Sequence, residues 1–173
     1  WPFRFTEKGG SPLRKAVLSL GSNLGNRVES LTKAIHAIGL LPGTTVIFTS
    51  KFYESPPFDV PSQQNDYINA CIVVLTDLSP RTLLGACLGI EAGMGRVRTE
   101  YHGARVIDID LLIYEKETCQ DGELHLPHPG ILNRAFVLVP LNDLFPEQNA
   151  LGLDFSAAFA RVNRSNVTFF EGK

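Results

Sequence analysis

The chain has 173 residues, 44% of them hydrophobic, with 16 Lys+Arg against 18 Asp+Glu for a formal net charge of -2. That length suits one domain, and a near-neutral molecule has no overall field to gather DNA, RNA or an anionic membrane surface. Cys71, Cys87 and Cys119 are too few and too scattered for a disulfide framework or a zinc site, no apolar run approaches the roughly 20 residues of a spanning helix, and no signal-peptide core opens the chain, so a soluble protein of the reducing cytoplasm is expected.

Trp1 to Lys15 mixes prolines, glycines and charges without period and reads as a tail or linker, leaving residues 16–173 as a single domain. Ala16 to Leu20 is a buried-strand run stopped by Gly21. Asn26, with Glu29 three residues on, predicts a helix start, and Val28, Leu31, Ile35 and Ile38 share one face until Gly39 ends it. Thr45 to Tyr53 alternates as one strand with Val46, Phe48, Ser50 and Phe52 on the buried face, and Pro56-Pro57 stops it. Tyr67 to Leu75 has strand composition. Ser79 and Pro80 predict a second helix start. Gly93 to Ala104 reads as a glycine-bearing loop, and Arg105 to Tyr114 as a strand. The order βαββαβ is that of a ferredoxin-like α+β fold, an antiparallel sheet flanked by helices. C-terminal additions follow: a turn at Gln120-Asp121-Gly122, a proline-bounded segment Leu126 to Gly130, and a helix around Phe136 to Leu144.

Within the strand, Asp108 and Asp110 stand two apart and share a face, with Ile107, Ile109 and Leu111 on the other. Like charges that close repel, and a divalent cation resolves the conflict. Oxygen ligands without a nearby His or Cys favour Mg²⁺ shared with substrate phosphates. A solvated sheet face is the plainer reading of the pair alone. The upstream arginines Arg96, Arg98 and Arg105 surround a glycine-bearing loop, and the combination suits a metal-bound polyphosphate, a solvated loop being the alternative. Ser55, Pro56, Pro57, Phe58, Tyr67, Asn69 and Phe136 supply flat faces and one amide for a planar heterocycle, or ordinary packing; composition leaves both open. His128 between two prolines, with Arg134 six residues on, is a lone histidine of either kind. The segment Gly21 to Arg27 lacks the ending of a P-loop and reads as a tight strand-to-helix turn.

Six motifs in order, LSLGSNLGNR, FYESPP, QNDYINA, IEAGMGRVR, ARVIDIDLLIY and LPHPGILNRAFVLVPL, resemble the 6-hydroxymethyl-7,8-dihydropterin pyrophosphokinase family from about Ala16 to Pro146. The resemblance implies pyrophosphoryl transfer from ATP to a pterin alcohol in folate biosynthesis, with AMP leaving. It implies that Asp108 and Asp110 bind two Mg²⁺ ions and that Arg96 and Arg105 are loop arginines assisting transfer. It places Glu91, Arg98, His128, Arg134 and the backbone near Leu111 at ATP, and Ser55, Pro56, Phe58, Tyr67, Asn69 and Phe136 at the pterin, Tyr67 and Phe136 on its ring faces. Three departures stand out: Tyr101-His102-Gly103 where relatives often carry a lid tryptophan, Pro129 in place of an aromatic residue, and Glu123 where some have a nucleotide-contacting arginine. Such kinases often occur fused to neighbouring folate enzymes, so the tail is expected to derive from a fusion. A polymerase-palm type transferase and a non-catalytic binding module are the competing classes; the four residues Arg96, Arg105, Asp108 and Asp110 together argue against the module, and the order FYESPP then DYINA against the palm enzyme.

Overall fold

Residues 12–58, 64–95 and 106–172 are described by the structure, a computed structural model. The first apolar run becomes strand β1 (Arg14–Ser22), which starts two residues before Ala16 and continues through Gly21 instead of stopping there. Helix α1 (Arg27–Gly39) is capped by Asn26, whose Oδ1 accepts the Glu29 N–H at 3.1 Å. The Glu29 carboxylate does not return to the cap; it pairs with Lys33 at 2.8 Å, one turn along.

The single strand expected over Thr45 to Tyr53 is two strands, β2 (Thr44–Thr49) and β3 (Tyr53–Ser55). Both lie along one edge of β4 (Tyr67–Thr76). The break has a local cause. Ser50 still meets Cys71, giving its N–H to the Cys71 carbonyl and taking the Cys71 N–H on its hydroxyl, but the next N–H, of Lys51, leaves the ladder for the Asp143 carboxylate. A bulge at Ile47 also shifts the register, so Phe48 lies opposite Val73, on the other face from Val46, and is exposed instead of buried.

Helix α2 (Pro80–Gly93) begins as expected, with Ser79 Oγ accepting from Thr82 N and Pro80 at the first position. Strand β5 (Asp108–Tyr114) begins at Asp108; Arg105 lies outside the described residues, and Val106 and Ile107 precede the strand. Beyond it, β6 (Cys119–Asp121) and β7 (Leu124–Leu126) form a hairpin, and a 3-10 turn (Ile131–Asn133) leads into α3 (Ala135–Leu144). A small hairpin, β8 (Asn149–Ala150) with β9 (Leu153–Asp154), then α4 (Ser156–Arg161) and β10 (Thr168–Phe169), end the chain.

The main sheet runs β10-β3-β4-β1-β5, with β2 also on β4, and every pairing is antiparallel. This is the ferredoxin-like order expected. One face is apolar along its whole length: Leu18, Leu20, Ile72, Val74, Ile109 and Leu111 pack against Leu31 and Ile38 of α1 and Leu83 and Cys87 of α2. Each such side chain withdrawn from water contributes about 1.5–3 kcal/mol. The opposite face changes character along the strands. At one end Val17, Cys71, Val73 and Ile113 meet Val137, Leu138 and Leu141 of α3. At the other, beyond α3, the same face carries Ser19, Gly21, Asn69, Asp108 and Asp110. An antiparallel sheet with one face half covered leaves a floor for a site.

Candidate active site

That floor opens into a cavity of about 570 Å³, within the range of small-molecule sites. Register puts its functional groups in rows. Across the strands, Asp108 stands opposite Gly21 and Gly21 opposite Asn69; the next row is Asp110, Ser19 and Cys71. Asp108 and Asp110 therefore share one face of an edge strand, as the two-residue spacing predicts, and both line the cavity.

On the far side of Gly21 the aromatic residues gather. Tyr67, Phe58 and Phe136 line the cavity, and the Phe58 and Phe136 rings stand 5.8 Å apart. Asn69, 3% exposed, gives its amide hydrogens to Ser55 Oγ at 2.7 Å and the Tyr53 carbonyl at 3.4 Å. Its Oδ1 is left above Gly21 as an acceptor. Ser55 thus acts through Asn69, while Pro56 is exposed and does not line the cavity. Gly21 makes the arrangement possible: a Cβ there would sit 3.2 Å from both Asn69 Oδ1 and Tyr67 Cδ1.

Beside the carboxylates, Glu91 is 2% exposed and its Oε1 accepts the N–H of Ile109 at 2.7 Å. It pins the outer edge of β5 between the two aspartates, and the strand period puts the Leu111 backbone on that same edge. Leu84 and Leu88 of α2, and Leu124 and His125 of β7, wall this end of the cavity. His128 Nδ1 accepts the Gly130 N–H at 3.0 Å, so the neutral ring carries its proton on Nε2. Burial, with Arg134 and His125 nearby, lowers the His128 pKa from 6.5, and Asp108 only partly opposes this. Arg134 lies over the Phe58 and Phe136 rings at 5.5 and 5.9 Å, and its buried Nε has no hydrogen-bond partner among the described residues. Arg96, Arg98 and Arg105 lie outside the described residues. Cysteine nucleophiles are excluded at Cys71 and Cys87, since burial pushes both thiols up to about 12.

The model of the 7,8-dihydro-6-hydroxymethylpterin-pyrophosphokinase family matches residues 17–146. The chain belongs to this family. As a pyrophosphokinase it moves pyrophosphate from ATP to 6-hydroxymethyl-7,8-dihydropterin in folate biosynthesis. It is 39% identical over 155 residues to the 2-amino-4-hydroxy-6-hydroxymethyldihydropteridine pyrophosphokinase of Methylorubrum extorquens, covering 90% of this chain and 98% of that one. The protein of the same name from Haemophilus influenzae is 43% identical over 129 residues, 75% of this chain and 80% of its own. A solved Plasmodium falciparum HPPK-DHPS shares the fold, with a TM-score of 0.72 at 18% identity over 94% of this chain. This chain covers 50% of that longer one.

Sequence reasoning missed part of the pyrophosphokinase cavity. Ser19 and Gly21 were hidden in an apolar run, although they interrupt it at every second position, which in a strand marks one face. Leu84 and Leu88 of α2 also line the cavity, and an apolar residue on a helix carries no local sign that it faces a site instead of the core.

The lowered His128 pKa makes a pH prediction. The folded protein binds fewer protons here than the unfolded chain, so the stabilisation is present above pH 6.5 and is lost as pH falls toward the folded value. His128→Asn keeps an acceptor for Gly130 but cannot titrate. Its thermal midpoint is expected to fall less than that of wild type between pH 7 and 5; equal falls would show that other groups dominate.

Proposed function

We propose that the pterin ring lies over Gly21 between Tyr67 and Phe136, with Phe58 closing the slot and the Asn69–Ser55 pair reading its polar edge, while ATP lies along the outer edge of β5. The observation that carries this reading is that the aromatic slot and the Asp108/Asp110 pair open into one cavity, separated only by strand β1. A hydroxyl at one end and a phosphate at the other would then meet without either site moving. Leu84, Leu88 and Leu124 offer apolar faces for the nucleotide base beside the Leu111 backbone.

Asp108 and Asp110 would hold Mg²⁺. Among the described residues no group of three or more His, Cys, Asp or Glu converges, so the protein supplies two hard oxygen ligands and leaves the remaining positions to phosphate oxygens and water. That donor set fits Mg²⁺, and two ions are expected from the family resemblance. The metal contributes charge neutralisation at the polyphosphate when bound. The chain's own residues do the rest: Glu91 fixes the edge strand under the carboxylates, and His128 offers Nε2–H as a donor toward the nucleotide. Arg134 places a permanent cation between the aromatic pair and the phosphate path. Arg96 and Arg105 are assigned to transfer and Arg98 to the nucleotide on the same resemblance. In-line transfer needs mainly alignment and charge stabilisation, which this inventory supplies.

No helix among the described residues is long and apolar enough to cross a membrane. The free thiols Cys71, Cys87 and Cys119 suit the reducing cytoplasm expected for the chain. Incubation with ATP, Mg²⁺ and 6-hydroxymethyl-7,8-dihydropterin should yield AMP and pterin pyrophosphate, stop when EDTA removes the metal, and resume when Mg²⁺ is restored. ADP as the product, or turnover that survives EDTA, would overturn the mechanism.

A further inference from the structure

Arg27 closes the turn that follows β1 and is the first residue of α1. Its guanidinium reaches away from its own helix. Nη1 donates to Glu54 Oε2 at 2.7 Å and to the Asp66 carbonyl at 2.9 Å, and the group lies 5.6 Å from the centre of the Phe170 ring. Glu54 immediately precedes Ser55, and Asp66 immediately precedes Tyr67. One cation therefore grips the chain one residue upstream of two members of the ring slot.

The third contact brings in the C-terminus. β3 has three residues, too few to hold its place by one ladder. Its outer edge is paired by β10, with Thr168 opposite Glu54 and Phe169 opposite Tyr53, and the Phe170 N–H continues to the Phe52 carbonyl at 2.9 Å. Phe170 then packs against the helix-side core behind β3, under Arg27. These C-terminal residues lie beyond residue 146, where the family match ends.

We propose that Arg27 and Phe170 are positioning residues for the pterin slot: together with β10 they brace β3 and the start of β4 from behind, and so fix Ser55, Asn69 and Tyr67 around the ring. The brace acts on one side of the cavity only. β5, with Asp108, Asp110 and the nucleotide end, is separated from β3 by β4 and β1. The proposal rests on the placement of the pterin over Gly21 given above.

The test separates the two substrates in the full chain. Pterin affinity is read by ligand fluorescence in the presence of Mg²⁺ and a non-hydrolysable ATP analogue, analogue affinity by calorimetry, and thermal stability alongside. Arg27→Met should weaken pterin binding about tenfold and analogue binding by less than about twofold, since it removes two charge-assisted hydrogen bonds at partly exposed positions. Arg27→Lys, which keeps the cation without the fork, should fall between. Phe170→Ala should show the same split at smaller size, and carries the test if Arg27→Met fails to fold. Unchanged pterin affinity, or parallel loss of both ligands with loss of thermal stability, would overturn the brace. Failure of the wild-type protein to bind the pterin overturns the ring placement itself, and shows before any substitution is made.

Discussion

Asp110→Asn is expected to lower turnover by about a hundredfold to a thousandfold while the protein stays folded, the scale of loss seen when a group stabilising transition-state charge is removed. The substitution keeps the shape of the side chain and removes only its charge. Asp110 stands opposite Ser19 on the half-exposed face of β5, and the alternation that holds the strand runs through Ile109 and Leu111 on the other side. The apolar packing that secures the strand is therefore untouched, and a thermal midpoint within a few degrees of wild type is the expected control. Mg²⁺-dependent binding of an ATP analogue should weaken in parallel, because the carboxylate acts by holding the metal against the phosphates. Asp108→Asn, opposite Gly21 in the next row, should behave alike. Turnover within tenfold of wild type would remove Asp110 from the metal site, and loss of the fold would make it a structural carboxylate.

The aspartate pair was legible in the sequence because it depends on one local rule, the two-residue period of a strand, and β5 obeys that rule through Leu111. Caps were legible for the same reason: Asn26 and Ser79 act on backbone groups three residues away. What failed depended on partners distant in the chain. The run from Thr45 to Tyr53 alternates well enough for one strand, and nothing in it announces that the Lys51 N–H will find Asp143, 92 residues on. Counting twos from Val46 puts Phe48 on the buried face, and a bulge at Ile47 cancels the count. β10 has two residues and is a strand only because β3 leaves an edge to be covered. The ring slot lay between these cases. Its members were recognisable as a set, while the commitment of the Asn69 amide to Ser55 and Tyr53, and so the polarity of the edge it presents, required the register of β3 against β4.

Gly21 shows the same limit at its sharpest, and it gives the second large effect. Read locally, a glycine after an apolar run ends a strand; in the fold it lies within β1, between Asp108 and Asn69. Glycine inside a strand costs about 0.5–1 kcal/mol relative to alanine, so its presence there needs a reason. The reason is space: a Cβ would lie 3.2 Å from Asn69 Oδ1 and from Tyr67 Cδ1, where the proposed ring is to rest. Gly21→Ala asks both neighbours to yield by a few tenths of an ångström and should weaken pterin binding moderately. Gly21→Val adds a whole isopropyl group to the floor of the slot and should weaken it by about a hundredfold, the scale of overpacking a preformed site. Nucleotide binding along the outer edge of β5 should persist, because that edge faces away from β1. Stability should change little, because the better strand preference of valine offsets the push on Asn69 and Tyr67. A variant that melts near the wild-type midpoint, binds the ATP analogue and has lost the pterin would locate the ring over residue 21. Retained pterin affinity in Gly21→Val would place the ring elsewhere in the cavity, and with it the hydroxyl that must face the phosphates held by Asp108 and Asp110.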